Sequence, residues 1–208
     1  MGNRCKLYPD DGDLFEGAIG NDDNVLIFRD KSVYKGEIVS NRPHGRGVLT
    51  RPTGAVHDGE WEHGYATGYA KASYPNGHVY EGYFLRGKRD GEGKYTTQDF
   101  VYTGEWKDGK MNGKGVIVYN DGRKYEGEFR NDTFHGYGSY FYKSGQIFKG
   151  QFVNGKRHGR GDIIFKDGSI YQGEWNNGQE INAAAYTSKI GNSVIGVWNG
   201  DSFVPKYN

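Results

Sequence analysis

A five-residue segment with a ring at each end and glycine at its centre recurs along this chain at a nearly fixed spacing. It reads Tyr80-Glu81-Gly82-Tyr83-Phe84, Tyr102-Thr103-Gly104-Glu105-Trp106, Tyr125-Glu126-Gly127-Glu128-Phe129, Phe148-Lys149-Gly150-Gln151-Phe152 and Tyr171-Gln172-Gly173-Glu174-Trp175, with starts 22, 23, 23 and 23 residues apart. Upstream, His57-Asp58-Gly59-Glu60-Trp61 and Tyr34-Lys35-Gly36-Glu37-Ile38 continue the series at 23, and Phe15-Glu16-Gly17-Ala18-Ile19 adds a degenerate member 19 residues earlier. Two further landmarks keep step. One is a Gly-x-Gly pair, as in Gly45-Arg46-Gly47, Gly91-Glu92-Gly93, Gly113-Lys114-Gly115, Gly136-Tyr137-Gly138 and Gly159-Arg160-Gly161; the unit starting at His57 carries Gly68 and Ala70 instead. The other is a turn signal late in the unit, as in Pro75-Asn76-Gly77, Asn120-Asp121-Gly122 and Lys166-Asp167-Gly168. A sustained period of this length is the mark of a repeat architecture.

The pattern resembles the MORN repeat (membrane occupation and recognition nexus), and residues 102–124 and 148–170 follow its consensus almost position for position. The resemblance covers roughly residues 10–178. It implies an elongated single-layer antiparallel β-meander, a ribbon with about two strands per 23-residue repeat.

Elementary strand geometry leads to the same fold. Side chains alternate across a strand, so Tyr102, Gly104 and Trp106 share one face while Thr103 and Glu105 take the other. Beyond the turn Lys107-Asp108-Gly109-Lys110, a second strand carries Gly113, Gly115, Ile117 and Tyr119 on one face. Symmetric pairing about that turn sets Tyr102 across from Gly115 and Gly104 across from Gly113, each glycine leaving a slot for a ring. Glycine weakens a strand unless something approaches its backbone closely. Here 35 glycines stand beside 17 Tyr, 11 Phe and 4 Trp, with only 5 Pro, a composition that fits neither collagen, nor a linker, nor a disordered chain. Residues 1–33 read as an N-terminal cap with a degenerate repeat, 34–178 as tandem repeats starting near 34, 57, 80, 102, 125, 148 and 171, and 179–208 as a degenerate C-terminal repeat or cap.

Lys and Arg number 27 against 26 Asp and Glu, a net charge of +1, which gives no whole-molecule basis for nucleic-acid binding. The single cysteine, Cys5, allows no internal disulfide and suits a reducing compartment. No apolar run approaches the roughly 18 residues of a membrane-spanning helix, and no apolar stretch follows the N-terminal charges as in a secretory signal. These features lead us to expect an intracellular protein.

Candidate chemistry is sparse. His44, His135 and His158 precede the Gly-x-Gly pair, His57 takes a ring position, and His63 and His78 fall in turns; repeat positions of this kind read as structural histidines. Glu60, Glu105, Glu126, Glu128 and Glu174 lie opposite the rings and read as a charge ladder facing Arg46, Lys114 and Arg160. The Gly-x-Gly elements precede no helix and so are not phosphate loops. No cofactor, metal site or catalytic residue is expected. Two features remain. Arg86, Lys88 and Arg89, then Lys107 and Lys110, then Lys156, Arg157 and Arg160 recur at one hairpin end, a basic ridge suited to acidic protein partners or acidic lipid headgroups. Gly2 with Cys5 offers a lipidation site, although Lys6 stands where the myristoylation motif wants Ser or Thr.

The resemblance implies a non-enzymatic scaffold of the cytoskeleton or cell cortex, including the cilium or flagellum, which binds protein partners and self-associates through an end. Its alternative is a peripheral module for phosphoinositides or other acidic lipids. MORN repeats also occur fused to methyltransferase and lipid kinase domains, but the thirty residues after 178 are too few for either.

Overall fold

The computed structural model describes residues 18–19, 24–198 and 203–206. Among them there is no helix. The strands are β1 (Ala18–Ile19), β2 (Val25–Ile27), β3 (Val33–Val39), β4 (Arg42–Thr50), β5 (Val56–Glu62), β6 (Tyr65–Ser73), β7 (Val79–Leu85), β8 (Lys88–Thr96), β9 (Phe100–Lys107) and β10 (Lys110–Tyr119). They continue as β11 (Lys124–Arg130), β12 (Thr133–Phe141), β13 (Ile147–Val153), β14 (Lys156–Ile164), β15 (Ile170–Asn176), β16 (Gln179–Glu180), β17 (Ala184–Thr187), β18 (Ser193–Trp198) and β19 (Phe203–Pro205). Strands pair antiparallel in chain order, with β17 joining β15 beside the short β16. This is the all-β, single-layer antiparallel meander that the repeat led us to expect. Its contacts divide it into two units, one of residues up to 98 with 105–110, the other of 99–104 with 111 onward.

Two kinds of turn alternate. Within a repeat, strands are joined by two residues that both have positive φ, as at Asp108 (49°) and Gly109 (84°). This is the type I′ geometry that matches the natural twist of a hairpin. Between repeats the loop is longer: Tyr119 and Arg123 close it, the Gly122 amide donates to the Tyr119 carbonyl at 3.0 Å, and Gly122 takes φ 92°.

The core is a file of rings on one face. In the first unit Tyr34, Trp61, Tyr80, Phe84 and Trp106 are buried; in the second, Tyr102, Phe129, Tyr125, Phe148, Phe152, Tyr171 and Trp175 are. They meet edge to face, with centroids 5.4 Å apart for Tyr34–Trp61, 5.2 Å for Tyr80–Trp106 and 5.1 Å for both Tyr125–Phe152 and Phe148–Trp175. Such pairs contribute about 0.5–1.5 kcal/mol beyond area burial. Each links one repeat to the next, so stability accumulates along the meander, as in other repeat proteins.

One expectation about register is corrected. Gly127 pairs with Gly138, not Gly136, and Tyr125 pairs with Tyr140. Gly104 likewise lies against Gly115, since a Cβ on Gly104 would stand 2.5 Å from the Gly115 Cα. The cause is a bulge. Near the turn Glu128 pairs with His135, and the ladder then skips Gly136 and Tyr137. The first glycine of each pair sits in that bulge in the left-handed region, as Gly136 does at φ 58°. The second glycine is the ring slot: a Cβ on Gly138 would come within 2.6 Å of the Tyr125 ring.

Candidate interaction surface

The ring positions are chemically committed. The Tyr34 hydroxyl donates towards the Glu37 and His44 carbonyls, both at 3.0 Å, Tyr80 towards Tyr83 at 3.0 Å, and Tyr125 towards Glu128 at 2.9 Å. Burial pushes the Tyr34 hydroxyl up to about 12 and those of Tyr80, Tyr125 and Tyr171 higher still. They are neutral donors bonded to their own chain. The indole nitrogens behave alike, Trp61 donating to the Gly47 carbonyl at 2.9 Å and Trp106 to that of Gly93 at 3.2 Å.

His57 is 3% exposed, and burial lowers its pKa to about 4, so at neutral pH it is an uncharged ring. Neither ring nitrogen has a hydrogen-bond partner. His78 instead shares a 2.7 Å bond with the Tyr95 hydroxyl. Among the described residues no three His, Cys, Asp or Glu side chains cluster as metal ligands would.

The glutamates of the outer face have two roles, and only one was legible as a ladder. Arg46 faces Glu60, Lys114 faces Glu128 and Arg160 faces Glu174 in register. The glutamate at the fourth position of the repeat also covers the bulge. The Arg46 amide donates to the Glu37 carboxylate at 3.0 Å and the Tyr137 amide to that of Glu128 at 3.2 Å. Gln151 lays its amide oxygen over Gly159 in the same way.

The basic residues separate by environment. In the first unit Arg89 turns onto the ring face, its guanidinium 4.5 Å from the Trp106 centroid and 4.7 Å from that of Tyr95. Lys88 pairs with Asp108 and Lys107 with Asp90, both at 3.0 Å. Arg86 and Lys110 are exposed. In the second unit Arg157 lies over Trp175 and Phe148, with centroids at 5.5 and 5.6 Å, and donates to the Gly178 carbonyl at 3.3 Å, whereas Lys156 and Arg160 are exposed. A repeat-by-repeat comparison carries the signal that distinguishes them. Arg89 and Arg157 share the tenth position of the unit with Pro43, Ala66 and Phe134, and Ala66 is fully buried. Gly2 and Cys5 lie outside the described residues.

Two depressions open on the second unit. One, of about 450 Å³, lies on the outer face among Tyr137, Lys149, Arg160 and Asp162. The other, of about 390 Å³, is on the ring face among Tyr142, Arg157, Phe165, Tyr171, Trp175 and Glu180.

A model of the MORN repeat matches residues 34–56, 57–79, 80–99, 102–122, 125–147, 148–170 and 171–180. The chain belongs to the MORN-repeat family. Alsin of Rattus norvegicus is 35% identical to it over 91 residues and Alsin of Homo sapiens 34%; in each case the match covers 44% of this chain but only 4% of Alsin. Among solved structures, the TCP domain of Drosophila melanogaster SAS-4 (dCPAP), in complex with a proline-rich motif of Ana2 (dSTIL), superposes with a TM-score of 0.48 at 12% identity. That match covers 74% of this chain and 84% of the other. The TCP10 domain of Danio rerio CPAP, with a STIL peptide, gives 0.44 at 13%, over 82% and 80%. In this MORN-repeat chain the buried ring positions are largely committed to contacts with one another and with their own backbone.

Proposed function

We propose that this chain is a non-enzymatic scaffold of the cytoskeleton or cell cortex, in settings that include the cilium or flagellum, and that it binds protein partners along its repeats. The observation that carries this reading is the commitment of the buried polar groups. Tyr34, Tyr80 and Tyr125 give their hydroxyls to carbonyls of their own repeat, so the rings assemble strands instead of presenting acids or nucleophiles. Membership of the MORN-repeat family supports the same reading. The exposed cations Arg86 and Lys110 in one unit, and Lys156 and Arg160 in the other, are the residues on which acidic partners dock. Co-sedimentation with cytoskeletal preparations, alongside light scattering for self-association, tests the proposal. Pelleting that is lost on charge reversal of Arg86, Lys110, Lys156 and Arg160 is expected, and a strict monomer that never pellets overturns it.

The same four cations favour a second reading, peripheral binding to acidic lipid headgroups, at about 1 kcal/mol per charge near the surface. Flotation with anionic liposomes separates the two. Lipid binding of this kind fades as salt shortens the Debye length, and no flotation at low salt removes it.

A further inference from the structure

The fourth position of the repeat is Glu at residues 37, 60, 105, 128 and 174 and Gln at 151, but in the unit that begins at Tyr80 it is Tyr83. That unit gives up the carboxylate with which Glu37 and Glu128 cap their bulges. In its place the Tyr83 ring stands on the outer face, 50% exposed, with its Cβ 3.1 Å from where a Cβ on Gly91 would lie. On the adjacent strand its register partner is Tyr69, 54% exposed, and the two rings meet edge to face at 5.6 Å. A residue that abandons a stabilising rule of its own repeat, and exposes a large ring in doing so, marks a site selected for something other than the fold.

The charges around this pair are acidic on balance. On one side the Glu60 carboxylate lies over Gly68, next to Tyr69. On the other is exposed Glu92, in the bulge that Tyr83 leaves uncapped. The neighbouring cations are matched: Lys71 is bonded to Glu81 at 2.9 Å and faces Asp58 in register, Lys94 faces Glu81 from the other side, and Arg46 faces Glu60. Two aromatic faces with an unmatched carboxylate beside them suit a cation, most of all a planar guanidinium, which stacks on rings and pairs with carboxylates.

We infer that Tyr69, Tyr83 and Glu92 form a docking site on the outer face of the first unit for an arginine side chain of an extended segment in a protein partner. The inference rests on the reading of the chain as a protein-binding scaffold and names one of its contact surfaces. The guanidinium lies against the two rings and shares its charge with Glu92, while Glu60 keeps its place over its own bulge. The proposal commits to a basic partner on this face, the opposite charge preference from that of the exposed lysines and arginines at the hairpin ends.

The test is an amide and ring NMR titration of the full chain with a short acetylated, amidated Gly/Ser peptide carrying two arginines. The same peptide with citrulline, the uncharged isostere, is the control. Saturable shifts at Tyr69, Tyr83 and Glu92 with the arginine peptide alone are expected. Tyr69→Thr with Tyr83→Thr, which keeps strand propensity, weakens binding about tenfold, equivalent to about 1.4 kcal/mol. Glu92→Gln, which leaves both rings, weakens it about threefold. Equal binding of the citrulline peptide, shifts centred elsewhere, or unchanged affinity in the double-threonine variant with the remaining repeats' spectrum intact overturns the site. Retained peptide binding in a chain that fails every cytoskeletal co-sedimentation sinks the scaffold reading alone; normal co-sedimentation without peptide binding sinks this site alone.

Discussion

His57 and Ala70 together replace the ring-and-glycine pair that neighbouring repeats build from Tyr34 with Gly47 and Tyr80 with Gly93. A Cβ on Gly47 or Gly93 would fall within 2.5 Å of the tyrosine hydroxyl or the ring carbon that bears it. A methyl group is therefore admissible only where the ring is shorter, and histidine, lacking the phenol's reach, makes that room. The two departures from the repeat are one coupled substitution.

That coupling is measurable as a double-mutant cycle. His57→Tyr alone drives a hydroxyl into the Ala70 methyl, and overpacking of this kind costs about 1–3 kcal/mol. Ala70→Gly alone costs about 0.5–1 kcal/mol from backbone freedom within a strand. Made together, they rebuild the slot, and the double variant is expected to be at least as stable as the unmodified chain in urea. Additive losses in the double variant would show that the two positions are independent.

His57 also makes the fold acid-sensitive. Its folded pKa of about 4 lies below the usual 6.5, so between those values the unfolded chain binds the extra proton and stability falls as pH falls. Stability is level with respect to this group above about pH 6.5. It drops by up to about 1.4 kcal/mol per pH unit as the solution is acidified to pH 4, about 3 kcal/mol in all. Urea midpoints measured from pH 7.5 to 4 for the unmodified chain and for His57→Leu give the test, and the leucine variant is expected to have a distinctly shallower slope. Parallel curves would assign the acid sensitivity to other groups.

The hydroxyl and the slot glycine of a standard repeat carry separable costs. Tyr125→Phe removes hydrogen bonds towards the Glu128 and His135 carbonyls and is expected to cost about 1 kcal/mol. The chain itself tolerates Phe148 at the same position. Gly138→Ala is expected to cost more, because its methyl meets the Tyr125 ring on a backbone that cannot retreat. Hydrogen exchange of β11 and β12 reads both, and an alanine variant as protected as the phenylalanine one would contradict the slot.

How the sequence disclosed this fold, and where it did not, follows from parity. The ring face and the turns were legible because strand alternation and glycine chemistry are local. The bulge was not, because it inserts two residues, Gly136 and Tyr137, and two is the period of a strand. Every side chain therefore keeps its face while the pairing slips. In sequence Arg89 and Arg157 belong to a solvent ridge because arginine is polar; a guanidinium plane that stacks on rings is a tertiary fact, visible only by comparison with Ala66 and Phe134 at the same repeat position.

Arg89 and Arg86 make that distinction testable. Arg86 is an exposed turn residue with φ 45°, whereas Arg89 covers the rings of Trp106, Tyr95 and Tyr80. Arg89→Ala is expected to lose about 1–2 kcal/mol through stacking and the packing of its stem. Arg89→Lys recovers only part, since an ammonium lacks the plane. Arg86→Lys should leave the urea midpoint where it was. Equal effects at the two positions would return Arg89 to the solvent ridge.

The bulge caps allow the two roles of the outer glutamates to be separated within one strand. Glu126 and Glu128 both stand on the outer face of β11. Glu126 pairs with Lys124 at 2.7 Å across an exposed surface, an arrangement that contributes little in water. Glu128 instead accepts the Tyr137 amide at the bulge, where the β11–β12 ladder gives Tyr137 no partner on β11. Glu128→Ala should therefore cost about 1 kcal/mol, as loss of a side-chain cap does elsewhere, with faster exchange of the Tyr137 amide. Glu128→Gln keeps an oxygen acceptor, as Gln151 does beside Gly159, and should recover most of that loss. Glu126→Ala should change neither stability nor exchange. If Glu126→Ala and Glu128→Ala shift the urea midpoint equally, and equally less at high salt, both glutamates belong to a charge ladder and the bulge amide needs no cap.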